Sequence, residues 1–265
     1  LIAADDHDPS HVAYINDCLK DLHESLRARG GTLTLRHGPA DVVLAALHRD
    51  HPFEAIYSHQ ETGNQLTYQR DTRVKRWAKA VGIPWHEFRQ HGVVRGLKNR
   101  DGWAKQWNQM MALPLVRTPQ ACPAVAAVES CGVLSPKALG LASPRSMTRQ
   151  AAGEAEAKAT LKAFLTTRGE HYQQEMSSPA LAEQACSRLS THIAYGSISI
   201  RTISHALKLR RSTLRSTRGA TRGASPSWGR SMASFDKRLH WHCHFIQKLE
   251  SEPMLEFSNM ASAYD

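Results

Sequence analysis

No run of eighteen apolar residues occurs in this 265-residue chain, and no charged-then-apolar leader ending in small residues opens it, so neither a membrane span nor a secretory signal is expected. A disulfide framework is equally unsupported. Cys18, Cys122, Cys131, Cys186 and Cys243 are odd in number and form no CxxC pair, which points to buried thiols in a reducing cytoplasm. No GxGxxG follows any predicted strand, which argues against a nicotinamide dinucleotide. An initiator methionine is missing too: the chain opens at Leu1 and its first predicted element is a helix, so an initial strand is expected to lie upstream.

What is present is a two-part globular pattern, 41% hydrophobic. Asp8-Pro9 supplies an N-cap and a first-turn proline, and Ile15, Cys18, Leu19, Leu22 and Leu26 then recur at helical spacing until Gly30-Gly31. Thr32–Leu35 reads as a strand, 41–47 as a helix, 53–57 as a strand, 67–81 as a helix with Val74, Trp77 and Val81 inward, and 83–88 as a third strand. Strands alternating with helices imply a parallel sheet with right-handed crossovers. Residues 1–114 are therefore expected to form an α/β, Rossmann-like domain. Residues 115–150 carry Pro119, Pro123, Pro136 and Pro144 with no sustained period, as an interdomain linker does.

From 151 to 265 the pattern is helical. Leu161, Phe164 and Leu165 share a face before Gly169, Ser177-Ser178-Pro179 restarts a helix, and 231–249 places Phe235, Leu239, His242, Phe245, Ile246 and Leu249 along one stripe. Between Lys208 and Arg230 seven cations, including Arg210, Arg211 and Arg215, occur without one acid, so 208–231 reads as a solvated basic loop or a nucleic-acid contact. Only Trp228 within it could stack on a base.

The segment Cys186-Ser187-Arg188-Leu189-Ser190 runs straight into the apolar Thr191–Ser197 stretch. Hydroxyls, main-chain N–H groups and one fork-shaped guanidinium gathered at a helix start make a phosphate cradle. The plainer alternative is a helix cap in which Arg188 pairs with Glu183. Further on, His240, Cys243, His242 and His244 invite a metal, but only His240 and His244 share a helical face and no third ligand is near, so packed histidines are expected and no metal site.

Taken with Leu239-His240-Trp241-His242-Cys243-His244-Phe245 downstream, the pentapeptide resembles the flavin-binding domain of the photolyase and cryptochrome family. The segment Ser58–Asp71 resembles the Arg-Asp-containing part of that family's antenna domain. The resemblance implies an α/β antenna-type domain followed by an all-α FAD-binding domain, incomplete at the C-terminus. It implies FAD contacts from Tyr172, in the Arg-Gly-x-x-Tyr position, and from Cys186, Ser187, Arg188, Leu189, Ser190, Phe235 and His242. Arg238 and Trp241 would face DNA with Arg210, Arg211 and Arg215, and a pterin or deazaflavin antenna would lie near Glu61 and Asn64. The implied activity is light-driven repair of pyrimidine dimers by a monomeric cytoplasmic protein, with the catalytic residues unassigned. Two departures are visible. The family's dimer-repair enzymes carry a glutamate three residues before this tryptophan and an arginine directly after it, where this chain has Arg238 and His242. A photoreceptor without repair activity, or a basic nucleic-acid-binding fragment with salt-dependent affinity, are the alternatives.

Overall fold

The computed structural model describes residues 4, 7–123, 128–142, 150–220 and 226–264. Helix α1 (Pro9–Arg27) starts where Asp8 accepts from the Ser10 N–H, and α2 spans Ala40–Asp50. Then come β1 (Ile56–His59), α3 (Gln65–Ala80, capped by Asn64) and β2 (Trp85–Phe88). The two strands pair in parallel, with Ile56 opposite Trp85 and His59 opposite Phe88, and α3 is their crossover. Val74 and Ala78 face the interior, whereas Trp77 is half-buried and Val81 is exposed.

Thr32–Leu35, expected as a strand, has no regular secondary structure and joins no ladder among the described residues. The segment expected as a linker occupies it instead. The Leu35 N–H donates to Ser130 Oγ, the Leu35 carbonyl accepts from the Cys131 N–H, and the Arg29 carbonyl accepts from the Cys122 N–H. Local propensity favours a strand here, but the partner is a segment of coil, which satisfies a few polar groups without building a sheet.

The larger core lies among the later helices: α4 (Trp103–Ala112), α5 (Glu154–Thr166), the short α6 (Tyr172–Glu175), α7 (Ala182–Ala185) and α8 (Ser190–Ala194), then α9 (Ile200–Ala220) and α10 (Pro226–Ser251). Trp103, Trp107, Leu161, Phe164, Ile203, Leu207, Met232, Phe235 and Leu239 form one continuous apolar cluster. Helix α4 precedes residue 114 in the chain yet gives its two tryptophans to this core. His240 and His244 pack on those indoles, with His240 4.8 Å from Trp103 and 4.9 Å from Trp107 between ring centroids.

The basic stretch expected as a loop is helical wherever it is described. Helix α9 runs on to Ala220 and α10 starts at Pro226, while 221–225 lie outside the described residues. Two apolar anchors and a cation–π contact account for this: Leu214 and Trp228 are buried, and the Arg210 guanidinium sits 4.7 Å over the Trp228 ring. The last helix keeps Phe235 and Leu239 of its predicted stripe buried but departs from it further on, where Phe245 is 58% exposed and Cys243 and Gln247 are the buried positions.

Gln247 fastens the β2 end of the α/β part to α10. Its amide accepts from the Val94 N–H at 2.7 Å and donates to the Val94 carbonyl at 3.0 Å, while the Trp103 indole N–H donates to the Gly92 carbonyl. A Cβ at Gly92 would lie 2.0 Å from Trp107 Cδ1, so glycine is required by contact rather than by backbone angle. Nearby, His91 and His242 meet edge to face at 6.4 Å. Burial, then His242 and Arg89, push the His91 pKa down from 6.5 to about 4, and burial lowers His242 as well.

Two outcomes are expected. Gly92→Ala displaces a buried indole and Gln247→Ala strands two main-chain groups, so each should cost about 1–3 kcal/mol in urea unfolding. Between pH 6.5 and 4 the unfolded chain takes up a proton at His91 that the native state refuses, so stability rises with pH across that window and levels off above it. Acidification to about pH 4 should remove roughly 3 kcal/mol, and His91→Gln should flatten that slope in a melting series.

Candidate functional site

The turn Cys186–Leu189 is held by carbonyl oxygens gripped from behind. Arg168 Nη1 donates to the carbonyls of Gln184 (2.9 Å) and Cys186 (2.6 Å), its Nη2 donates to that of Ser187 (3.2 Å), and Gln150 Nε2 donates to that of Arg188 (2.6 Å). Every described peptide bond is trans, so each carbonyl points opposite to the next residue's N–H. The N–H groups of Ser187, Arg188 and Leu189 are thereby turned to the other side, and they have no acceptor among the described residues. Arg188 adopts φ +60°, which lets successive N–H groups converge as an anion-binding nest does.

The capping alternative is not what the structure draws. Leu189, not a serine, occupies the N-cap of α8, without a side-chain cap, and Arg188 has no ion pair to Glu183. Arg188 and Ser190 are exposed, Ser187 is half-buried, and Leu189 is in the core as the anchor of the turn.

Around Cys186 three cations converge. Burial raises its thiol pKa, and Arg188, Arg168 and Arg238 all oppose that shift. Burial also raises Tyr172, with Cys186 adding to the rise and Arg238 countering it from beside the hydroxyl. Arg238 in turn lies 4.6 Å over the half-exposed Trp241 ring and reaches Met176 Sδ at 3.8 Å. Tyr172, Cys186, Ser187, Arg188, Arg238 and Trp241 are thus brought to one region.

Other predicted residues fall elsewhere. Phe235 is 3% exposed and packs edge to face with Phe164 and Tyr172, so it shapes the site from within the core. His242 leaves α10 on another side and lines a separate cavity of about 610 Å³ with His91, Thr62, Tyr195 and Ile198. Glu61 and Asn64 border that cavity too, but the Glu61 carboxylate and the Asn64 side-chain oxygen are already engaged. Glu61 accepts from the Thr62 and Gly63 N–H groups and from Arg70, and Asn64 caps α3 through the Thr67 N–H. Of the three arginines on α9, Arg211 pairs with Asp236, Arg210 covers Trp228, and Arg215 is exposed.

Two residues central to the turn escape a linear reading. Arg168 opens the Arg-Gly-x-x-Tyr segment whose tyrosine was singled out, so its signal was adjacent. Gln150 ends a proline-rich stretch and carries no local mark. Ser231 then secures that segment to α10, accepting from the Gln173 N–H and donating to the Glu170 carbonyl. A Cβ on Gly169 would meet the Phe164 carbonyl oxygen at 2.5 Å, so only glycine lets the Arg168 segment lie this close to α5.

Comparison with known proteins gives a consistent picture. Residues 2–101 match the DNA photolyase family model. The deoxyribodipyrimidine photo-lyase of Halobacterium salinarum is 28% identical over 219 residues, covering 77% of this chain and 44% of that protein. The fold is shared with a class III photolyase from Agrobacterium tumefaciens (TM-score 0.75, 19% identity, 99% of this chain and 55% of that one). It is shared also with the Synechocystis cryptochrome (TM-score 0.70, 15% identity, 92% and 51%). An archaeal photolyase from Sulfolobus tokodaii, solved with two FAD molecules, aligns at TM-score 0.61 with 18% identity over 96% of this chain and 53% of its own. The chain spans about half the length of these relatives. A family model matching residues 2–101, a photolyase relative and a fold shared over nearly the whole chain agree that this chain is similar to the DNA photolyases and shares its fold with photolyases and a cryptochrome.

Proposed function

We propose that the Cys186–Ser190 turn holds the diphosphate of FAD, and that a longer protein carrying this chain repairs pyrimidine dimers in DNA under light. The observation that carries the reading is the row of outward N–H groups at Ser187, Arg188 and Leu189, with the Ser187 and Ser190 hydroxyls and the Arg188 guanidinium beside them and three arginines around Cys186. Such donors fit a doubly charged, oxygen-rich group, and a protein environment prepared this way needs no rearrangement to receive it. When bound, a reduced flavin supplies the photoexcited electron that splits the dimer.

The chain's own residues orient and shield. Tyr172 and Phe235 form the rigid floor with Phe164, and Leu189 pins the turn to it. The Arg238–Trp241 pair presents an indole and a cation together, suited to an unstacked base and its phosphate. Arg215 adds backbone contacts at the α9–α10 end. His242 serves flavin from the second cavity, where a pterin or deazaflavin would also find its space. In this reading residues 1–114 are the antenna-type part and 151–265 part of the flavin-binding part. Arg238, standing where repair enzymes carry a glutamate, favours a second reading as a photoreceptor that binds flavin without repairing the lesion.

Arg188→Ala should weaken FAD binding by about 1.5–3 kcal/mol, a rise in Kd of about 10- to 150-fold by fluorescence titration. Saturable binding with unchanged affinity would remove Arg188 from the site. For DNA, Arg215→Ala should reduce the slope of log K against log salt by about 0.9, the share of one phosphate contact. Arg211→Ala should change it less, because Asp236 already neutralises that cation.

A further inference from the structure

Arg188 holds a left-handed backbone, φ +60°, that an L-residue adopts only when its surroundings hold it there. The groups that keep it there extend far beyond the turn. Gln150 Nε2, which donates to the Arg188 carbonyl, also lies 2.9 Å from His192 Nε2, and His192 Nδ1 lies 2.9 Å from the Tyr14 hydroxyl. His192 is fully buried and Tyr14 is 3% exposed, so solvent competes with none of the inner contacts.

The donors and acceptors have one consistent arrangement. An amide NH₂ faces the Arg188 carbonyl, so the same nitrogen can only donate to His192 Nε2. His192 is then neutral with its proton on Nδ1, and that proton goes to the Tyr14 oxygen. Burial lowers the His192 pKa and pushes Tyr14 up to about 12, which keeps both rings uncharged. Ser197 and Cys18 stand beside the Tyr14 hydroxyl, and their Oγ and Sγ are 3.4 Å apart. Tyr195 packs against Tyr14 with ring centroids 5.2 Å apart and the rings tilted by 40°, and closes the assembly from the α8 end.

We propose that Tyr14, His192 and Gln150 are positioning residues that hold the Arg188 carbonyl, and with it the N–H row of the turn, so that the seating of α1 sets the shape of the anion cradle. The inference rests on the diphosphate reading of that turn. None of the three touches the expected ligand. Their effect passes through one carbonyl, and it ties a residue of the first helix to a turn 174 positions later.

Trypsin tests this without any ligand, because the bond after Arg188 is cut only when the turn opens. Gln150→Glu keeps the shape but removes the donor, and Tyr14→Phe removes only the oxygen that receives the His192 proton. Each should speed cleavage after Arg188 by about fivefold, the equivalent of roughly 1 kcal/mol for one hydrogen bond. Cleavage after Arg215 serves as the control and should stay unchanged. Equal rates after Arg188 in Tyr14→Phe and the unaltered chain would overturn the coupling to α1, and equal rates in Gln150→Glu would overturn the whole relay. FAD titration of the same proteins separates the two ideas. Weaker FAD binding in Gln150→Glu supports both, and unchanged binding despite faster cleavage overturns the role in positioning the cradle. Absence of FAD binding by the unaltered chain would overturn the diphosphate reading while the cleavage rates still decide the relay.

Discussion

A half-buried arginine that takes up carbonyl oxygens decides which way the neighbouring N–H groups point. Arg168 captures the oxygens of Gln184, Cys186 and Ser187, and planarity of the peptide does the rest. The resulting face of unpaired donors would be unstable without that anchor, because N–H groups left without partners normally drive a chain to rearrange. Everything else in the candidate site, from the floor of Tyr172, Phe164 and Phe235 to the Arg238–Trp241 pair, is arranged around this fixed turn.

The anchor depends on packing that spans the molecule. Ser231 fixes the segment carrying Arg168 and Tyr172 to α10, and Gln247, four turns further along α10, grips the chain just beyond β2. One long helix therefore aligns the α/β part and the turn together. Helix α4 reinforces this by placing Trp103 and Trp107 in the core of the later helices, against His240 and beneath Gly92.

Electrostatics give the site its sign. Arg168, Arg188 and Arg238 bear on Cys186 with no carboxylate among the groups that shift it, whereas the cations of α9 are partly neutralised or covered. Charge along the sequence left 208–231 as either a solvated basic loop or a nucleic-acid contact. Where it is described, that stretch belongs to helices α9 and α10, and three arginines bear on Cys186 at the Arg188 turn.

Much was legible in one dimension because it depends on near neighbours. The Asp8 cap, the helix beginning near residue 65, two of three strands and the apolar face of α5 follow from periodicity and turn chemistry. The Cys186–Ser190 pentapeptide was likewise visible as a cluster of donors. What needed the fold were choices between partners distant in sequence: whether Thr32–Leu35 found a strand, whether Phe235 faced a ligand or the core, and whether His242 joined the turn or a second cavity. The sequence by itself determined the donors and the helical faces, since each is set within a few residues. Only tertiary structure decided that Arg168 and Gln150 would hold three carbonyls of one turn, because hydrogen bonds between segments far apart in the chain leave no local pattern to read.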